Sequence, residues 1–385
     1  MADDTEVLFE ITRDRLDTGL RGFPVGTVRT SRVDPIQGVS YVGRPIAELA
    51  YEEPEAVAYL LLNRRWPEDS ELDAFKADLR ARCGVDPRVL EMLKALPREG
   101  HPMEWLASGL LFLGMTGKTG DWQEDALNLV ARAPELVAAI FRVRSGWGDP
   151  IAPKPELGLI ENFVHMLGVP GADPDRLVRI LRVFYVLHMD HGGGNLSTFV
   201  GKAVASAHTD MHASMAAAMC GLYGPLHGRA NQDCLAFVQE VRASVDPDDR
   251  EGVEAFVRQR LADGGKIFGF GHAVLRAEDP RATIQYELGE QLCADDPNFR
   301  MAKTLREAAV AVLSSIPKVS NPYPNVDAVS GSLLYASGLT DPNYYTVLFG
   351  LSRITGIAAQ IVDERVHFRN GRGVPIYRPK YIHRS

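Results

Sequence analysis

Apolar residues recur along almost the whole chain at the three- and four-residue spacing of an α-helix, and this periodicity restricts the fold more than any other feature. The clearest run is Val347, Leu351, Ile354, Ala358 and Ile361. Only residues 25–41, with alternating and β-branched residues around Gly38, favour a short hairpin. We therefore predict an all-α fold of roughly fifteen to twenty helices with almost no sheet.

The composition argues against several classes of protein. A formal net charge of −8 argues against nucleic-acid binding, which needs a basic surface, and no stretch reaches the roughly 20 apolar residues of a membrane span. Four cysteines without a CxxC pair indicate neither a disulfide framework nor a zinc site, and they fit a reducing compartment. The acidic start over residues 1–14 lacks the features of a transit peptide or secretory signal. We therefore predict a cytoplasmic location.

Histidine and aspartate are concentrated in four short segments rich in Gly or Pro. Phosphate loops, zinc-protease motifs and the serine-hydrolase elbow do not occur in the sequence. The four segments are LHMDHGGGN (187–195), GPLHG (224–228), GFGHAVLR (269–276) followed by DPR (279–281), and NVD (325–327). In the first, His188 and His191 end a predicted helix, where they either bond to carbonyl groups or, with Asp190, bind a metal.

Two residues of the later segments can each be explained by a structural role or by a chemical role. Pro225 is predicted to start a helix, which places His227 in the first turn, where the positive helix end keeps an imidazole neutral. A neutral His227 either packs against a neighbour or donates a hydrogen bond to a carbonyl group. Asp327 follows a Pro-rich strip, so it is either a helix N-cap or a general base. The residues alone leave both questions open.

Arg353 is the only formally charged residue between Thr346 and Val362. A helix with so few polar residues is expected to be buried on most faces. Burying an unpaired guanidinium there lowers the free energy of unfolding by several kcal/mol. Either a distant carboxylate of the chain or the carboxylate of a ligand must neutralise it.

Taken together, these segments resemble the signatures of the citrate synthase family, in particular its eukaryotic-type branch. They occur in the family's order and are followed by YYTVLFGLSR, which ends at Arg353, and by RPK at 378–380. The resemblance extends from about residue 19 to residue 380. It implies an α-helical homodimer in which a small domain (229–338) is inserted into a large domain (1–228 and 339–385), with the active site between them.

The resemblance also implies a role for individual residues. Asp327 would remove a methyl proton from acetyl-CoA, His227 would hydrogen-bond the thioester oxygen, and His272 would act as the acid on the oxaloacetate carbonyl. The expected oxaloacetate-binding residues are His191, Asn195, His272, Arg281, Arg353 and Arg378, the last donated across the dimer interface. The expected CoA-binding residues are Arg276, Asn325, Gly269 and Gly271. The sequence departs from the family at Gly192, where an acidic residue is usual, and at Ser320, where eukaryotic members carry a lysine.

The expected activity is therefore that of an acyltransferase of the tricarboxylic acid cycle, with no metal and no cofactor besides its substrates. Three alternatives remain. The first is a 2-methylcitrate synthase that uses propionyl-CoA, because one methylene changes binding by only about 1–3 kcal/mol. The second is a metal-dependent hydrolase built on His188, Asp190 and His191. The third is a non-catalytic helical interaction protein.

Overall fold

A computed structural model describes residues 6–272 and 274–383. Residues 1–5 of the acidic start and Ala273 of the third segment lie outside the described residues. Over the described ranges the chain forms sixteen α-helices and one small three-stranded sheet, which confirms the all-α prediction.

The first half of the chain carries the sheet and eight helices. The strands are β1 (Ser31–Asp34), β2 (Gly38–Tyr41) and β3 (Arg44–Pro45). The helices are α1 (Ile46–Leu49), α2 (Pro54–Asn63), α3 (Asp69–Arg82), α4 (Pro87–Ala95), α5 (Pro102–Gly117), α6 (Trp122–Ser145), α7 (Leu159–Leu167) and α8 (Pro174–His188).

The second half is helical. Its helices are α9 (Leu196–Ser206), α10 (Met211–Tyr223), α11 (Ala230–Ser244), α12 (Arg250–Ala262), α13 (Pro280–Leu292), α14 (Pro297–Ser314), α15 (Asp327–Ala336) and α16 (Tyr345–Val362). Short 3₁₀ helices occupy Arg13–Arg15 and Pro342–Tyr344, and a π-helix at Asp363–His367 continues α16.

The sheet is antiparallel in the order β1-β2-β3, with Ser31 opposite Tyr41. The predicted hairpin is therefore present, but its first strand begins at Ser31 and a third short strand follows it. Tyr41 is completely buried, and its hydroxyl donates to the carbonyl oxygens of Val186 (3.0 Å) and Asp190 (3.2 Å). These bonds fix the sheet against the end of α8.

Helix α16 runs through the core, and nearly all of its residues are buried. The segment Pro342–His367 is long and apolar enough to cross a membrane by length and composition, with a mean hydropathy of 1.3, but 94% of that apolar stretch is buried inside the protein. Its hydrophobicity is thus that of a central core helix.

Helices α11 to α15 pack mainly against one another, since α11 contacts α14 and α15, α12 contacts α14, and α13 contacts α15. Contacts of α13 and α15 with α8, and of α11 with α16, join this group to the remaining helices. The division into a large and a small domain at residues 229 and 338 stays a prediction.

Candidate active site

The first and third segments meet in space although they are about eighty residues apart. The imidazole rings of His191 and His272 lie edge to face with their centroids 5.6 Å apart. Burial lowers the pKa of both rings, and the nearby Arg281 lowers it further. Both histidines are therefore neutral near pH 7, and each can donate a hydrogen bond from one ring nitrogen.

The hydrogen bonds of His272 indicate which ring nitrogen carries its proton. Its Nδ1 atom accepts hydrogen bonds from the backbone N–H groups of Val274 (3.0 Å) and Leu275 (3.1 Å). A nitrogen that accepts two N–H groups is unprotonated, so we assign the proton to Nε2. His272 therefore offers an N–H donor on the side of the ring away from its own loop, as an acid acting on a carbonyl oxygen requires.

His227 is neutral, but not for the reason that the sequence suggested. It lies in a turn, because α11 begins only at Ala230, so the prediction that it occupies the first turn of its own helix is wrong. Its Nε2 atom accepts a hydrogen bond from the backbone N–H of Ser197 (3.2 Å), in the first turn of α9. Burial, followed by the nearby Arg353, lowers the pKa of His227 to about 4. The helix end that disfavours its protonation is that of α9.

Asp327 is the first residue of α15, and its carboxylate is not used for capping. The N-cap residue is Val326, which makes no side-chain cap. Among the hydrogen bonds and ion pairs of the described residues, none involves the Asp327 carboxylate. Burial raises its pKa to about 6, opposed by Arg281 and Arg353 and reinforced by Asp279. An unpartnered carboxylate with this pKa is suited to act as a base near neutral pH.

Asn325 holds the loop of the third segment against the start of α15. Its side-chain oxygen accepts the N–H of Asp327 (3.0 Å), and its side-chain amide donates to the carbonyl oxygen of Gly271 (3.0 Å). Gly269 has a φ of +83°, and a Cβ there would lie 2.8 Å from the Cα of Ala328. Asn325, Gly269 and Gly271 thus shape the backbone beside Asp327, and their contact with CoA stays a prediction.

The two arginines of the site differ in how their charge is balanced. Arg281 pairs with Asp279 (Nη2–Oδ2, 2.7 Å), and both side chains are buried. Arg353 is 2% exposed, and no ion pair joins it to a residue in the described part of the chain. Its Nε atom donates to the carbonyl oxygen of His188 (2.9 Å), and its guanidinium lies 4.6 Å from the ring centroid of Phe349. The sequence left open whether a distant carboxylate of the chain neutralises Arg353, and none of these contacts is with a carboxylate.

Burial lowers the pKa of Arg353 to about 10, although the nearby Asp190 raises it. The guanidinium is still charged at pH 7, and only its Nε atom is bonded to the protein in the described contacts. A buried cation of this kind favours an anionic ligand. Arg353 lowers the pKa values of Asp327, His191 and His227, so all three groups lie near it.

Asn195 is the N-cap of α9 and closes the glycine-rich turn. Its Oδ1 atom accepts from the N–H of Thr198 (3.1 Å), and its side-chain amide donates to the carbonyl oxygen of Gly192 (2.9 Å). Gly192 has a φ of +69°, which favours glycine over the acidic residue usual in the family. The local backbone thus accounts for this departure, and a role of Asn195 in binding oxaloacetate stays a prediction.

No hydrogen bond, ion pair or ring contact in the described part of the chain joins Arg378 to another predicted site residue. Arg378 is exposed, and the neighbouring Tyr377 is tied through its backbone N–H to Ser206 (3.1 Å) at the far end of α9. Ser206 lies about 14 Å along the helix from Ser197, which contacts His227. Arg276 is also exposed, and its guanidinium donates to the carbonyl oxygen of Leu275 (2.7 Å).

The geometry does not favour the metal-dependent hydrolase. No three His, Cys, Asp or Glu side chains converge as metal ligands in residues 6–272 and 274–383. The Nδ1 atom of His188 bonds to the carbonyl oxygen of Phe184 (2.7 Å), and its ring stacks on that of Phe184. Both carboxylate oxygens of Asp190 accept hydrogen bonds from other parts of the protein. His188 is therefore bonded to a carbonyl oxygen of its own helix, as one of the two interpretations predicted. The carboxylate of Asp190 is instead held by hydrogen bonds from other parts of the protein.

Sequence reasoning missed three residues that shape the site. Ser197 contacts His227, Asp279 neutralises Arg281, and Phe349 stacks with Arg353. Two of them could have been found from the sequence. Asp279 precedes a proline at a helix start, and Ser197 follows the N-cap Asn195 by two residues. Phe349 had no such signal, because aromatic residues are common in apolar helices.

Comparison with known proteins gives a consistent result. The family model for the citrate synthase C-terminal domain matches residues 19–380. The chain is 37% identical to citrate synthase 4, mitochondrial, of Arabidopsis thaliana, over 97% of this chain and 83% of that protein. It is 34% identical to the mitochondrial 2-methylcitrate synthase of Yarrowia lipolytica, over 97% and 84%. The solved structure of citrate synthase from Thermotoga maritima superposes with a TM-score of 0.81 at 28% identity, covering 95% of each chain.

The all-α fold and these similarities define an enzyme that transfers an acyl group. The chain belongs to the citrate synthase family.

The prediction of a cytoplasmic location is contradicted. The similar plant and yeast citrate synthases are named as mitochondrial, and this finding overturns the prediction. Sparse cysteines indicate a reducing compartment, but they do not distinguish the cytosol from other reducing compartments.

Proposed function

We propose that this protein condenses acetyl-CoA with oxaloacetate and hydrolyses the resulting citryl thioester to citrate and CoA. The observation that carries the proposal is the carboxylate of Asp327, which is partly buried, bonded to no described group, and close enough to Arg281 and Arg353 for each to lower its pKa. These residues supply one base and two cations for a substrate that carries two carboxylates.

In the proposed reaction, Asp327 takes a proton from the acetyl methyl group while a neutral His227 donates a hydrogen bond to the thioester oxygen. The resulting enolate attacks the oxaloacetate carbonyl carbon, and the Nε2–H of His272 gives its proton to the oxygen that becomes the citryl hydroxyl. The proton taken up by Asp327 then returns to His272, so that both groups regain their starting states. A water molecule then cleaves the thioester to release CoA. Donors that are already in place stabilise the developing oxyanions with little reorganisation.

Oxaloacetate recognition is assigned to the charges around Arg353. Arg353 would bind one carboxylate through its terminal nitrogens, and Arg281, held in orientation by Asp279, would bind the other. His191 and Asn195 border the same region. The acyl-CoA substrate would lie beside residues 269–276 and Asn325, where the glycines allow close approach.

The decisive test is release of CoA thiol with oxaloacetate and either acetyl-CoA or propionyl-CoA. We expect kcat/KM to be higher with acetyl-CoA. A preference for propionyl-CoA would favour the 2-methylcitrate synthase alternative, which the Yarrowia relative keeps open. No thiol release with either substrate would contradict the proposal and favour the non-catalytic alternative.

The pH profile is expected to show one acidic limb. The pKa of Asp327 is about 6, so its ionised fraction, and with it kcat/KM for acetyl-CoA, falls about tenfold per pH unit below that value. His227, with a pKa of about 4, stays neutral in the same range. The profile is measured from about pH 4.5 to 8 in buffers of constant ionic strength. The Asp327→Glu variant places its carboxylate in a different environment, so the midpoint of its acidic limb should shift. An unchanged midpoint would contradict the assignment of this limb to Asp327.

We also propose that the active enzyme is a homodimer to which Arg378 contributes across the interface. The exposed position of Arg378, which follows a residue bonded to Ser206 at the far end of α9, supports donation to a second subunit. Leu111 and Met115, one turn apart on α5, are 42% and 72% exposed and provide an apolar surface for association.

Mixed dimers test the donation. A subunit with Asp327→Asn and a subunit with Arg378→Ala are each expected to be nearly inactive as homodimers. In a mixed dimer, one site combines an intact Asp327 with an intact Arg378 from the partner. Random mixing should therefore restore about one quarter of wild-type activity in co-refolded samples. If Arg378 served its own chain, every site would lack one group and no activity would return.

A further inference from the structure

Asp190 is a completely buried carboxylate that neither the proposed catalytic nor the proposed binding set includes. It lies between the end of α8 and His191. Its Oδ2 atom accepts hydrogen bonds from the hydroxyls of Thr30 (2.6 Å) and Ser31 (2.8 Å), and its Oδ1 atom accepts from the N–H of His191 (2.8 Å) and from Gln360 (Nε2, 2.8 Å). Four donors converge on two oxygens, an arrangement that suits an ionised carboxylate. Burial raises the pKa of Asp190, and the hydroxyls of Thr30 and Ser31 and the nearby Arg353 oppose this rise.

Two of these donors also hold the turn that follows His191. The hydroxyl of Ser31 accepts the N–H of Gly192 (2.7 Å), and the side-chain amide of Gln360 donates to the carbonyl oxygen of Gly192 (3.2 Å). Asp190 therefore links the start of β1 and the end of α16, and both elements bond to the peptide groups of Gly192 through Ser31 and Gln360. Thr30 differs from Ser31 in this respect, since its hydroxyl contacts Asp190 but not the turn.

The same carboxylate lies near Arg353, the cation of the site that forms no ion pair with the described residues. The backbone of Met189 and the Cβ of Asp190 pack directly on α16 at Gly356, where an added Cβ would lie 2.1 Å from the carbonyl oxygen of Met189. Arg353 lies one turn before Gly356 on this helix, and Asp190 acts on it electrostatically without forming an ion pair. A negative charge at this position limits the cost of burying Arg353 and leaves its terminal nitrogens available for a ligand.

We infer that Asp190 is a positioning residue for oxaloacetate: it orients the backbone of His191 and Gly192 through Ser31 and Gln360 and supplies a fixed negative charge near Arg353. This inference rests on the proposed function, because oxaloacetate is the ligand that the site is proposed to bind. Asp190 would touch no substrate, and its effect would be specific to one of the two substrates.

Ser31→Ala and Thr30→Val form a matched pair for the test. Each removes one hydroxyl donor to the same carboxylate oxygen, but only Ser31→Ala also releases the turn at Gly192. We expect Ser31→Ala to raise the KM for oxaloacetate about tenfold and Thr30→Val by less than about threefold, since a loosened supporting contact displaces the ligand group. The KM for acetyl-CoA should change little in either variant, while both lower Tm. Equal changes in the KM for oxaloacetate, or none, would overturn the inference.

Asp190→Asn keeps the shape of the side chain and removes its charge. We expect its KM for oxaloacetate to rise at least about tenfold, with kcat reduced less than the KM is raised. A wild-type KM in a folded Asp190→Asn protein would overturn the inference, and if this variant does not fold, the matched pair decides. Calorimetric binding of oxaloacetate repeats the comparison without turnover. An inactive wild-type enzyme would thus contradict the proposed function separately, while the binding data still decide the role of Asp190.

Discussion

Asp327→Asn is expected to lower kcat by about a hundredfold to ten-thousandfold, because an amide cannot accept the methyl proton. Oxaloacetate affinity should stay within about threefold, since the carboxylate makes no described hydrogen bond or ion pair and Arg281 and Arg353 remain in place. Steady-state kinetics with acetyl-CoA and calorimetry with oxaloacetate measure the two effects. A kcat within tenfold of the wild type would remove Asp327 from the mechanism.

Stability provides the control for this variant. The pKa of Asp327 is raised to about 6 from its ordinary value of 3.8, so the folded protein binds a proton more tightly than the unfolded chain does. The ionised carboxylate therefore lowers stability as pH rises from about 4 to 6, and this penalty remains at pH 7. Asp327→Asn should unfold at the same or higher denaturant concentration than the wild type at pH 7. A large loss of stability would mean that low activity reflects misfolding.

Arg353→Met is expected to abolish useful oxaloacetate binding with only a small change in stability. Losing a charge-assisted contact to a buried carboxylate reduces binding by about 2–5 kcal/mol, or roughly thirtyfold to several-thousandfold in affinity. The unliganded protein loses no ion pair, and it no longer buries an unpaired cation. It also loses the hydrogen bond from Arg353 to the carbonyl oxygen of His188 and the contact with the Phe349 ring, so these effects oppose each other and the free energy of unfolding should change by less than about 2 kcal/mol. Unfolding in urea and oxaloacetate calorimetry test both parts.

Arg281→Met is the matched comparison. It should also weaken oxaloacetate binding, but it leaves the buried Asp279 without its partner, which lowers the free energy of unfolding by about 3–5 kcal/mol. The two arginine variants are thus expected to agree in binding and to differ in stability. If both destabilised the protein equally, Arg353 would have a structural partner and the assignment of its charge to a ligand would be wrong.

The sequence predicted the helical fold because periodic apolar residues and capping signals are local. It also located the site residues along the chain, since glycine and proline around His191, His227, His272 and Asp327 are unusual in helical segments. It placed His227 wrongly, because proline after glycine is equally compatible with a turn. The helix end that contacts this ring belongs to α9, which is distant in sequence.

The sequence by itself determined that the chain folds into buried helices and that its polar chemistry is confined to a few interrupted segments, because both follow from the spacing of residues along the backbone. Only the tertiary structure decided how each charge is balanced: Arg281 by Asp279, Asp190 by four donors, and Arg353 and Asp327 by no ion pair within the described protein. Charge balance depends on distances between segments that packing brings together, and no local pattern encodes those distances.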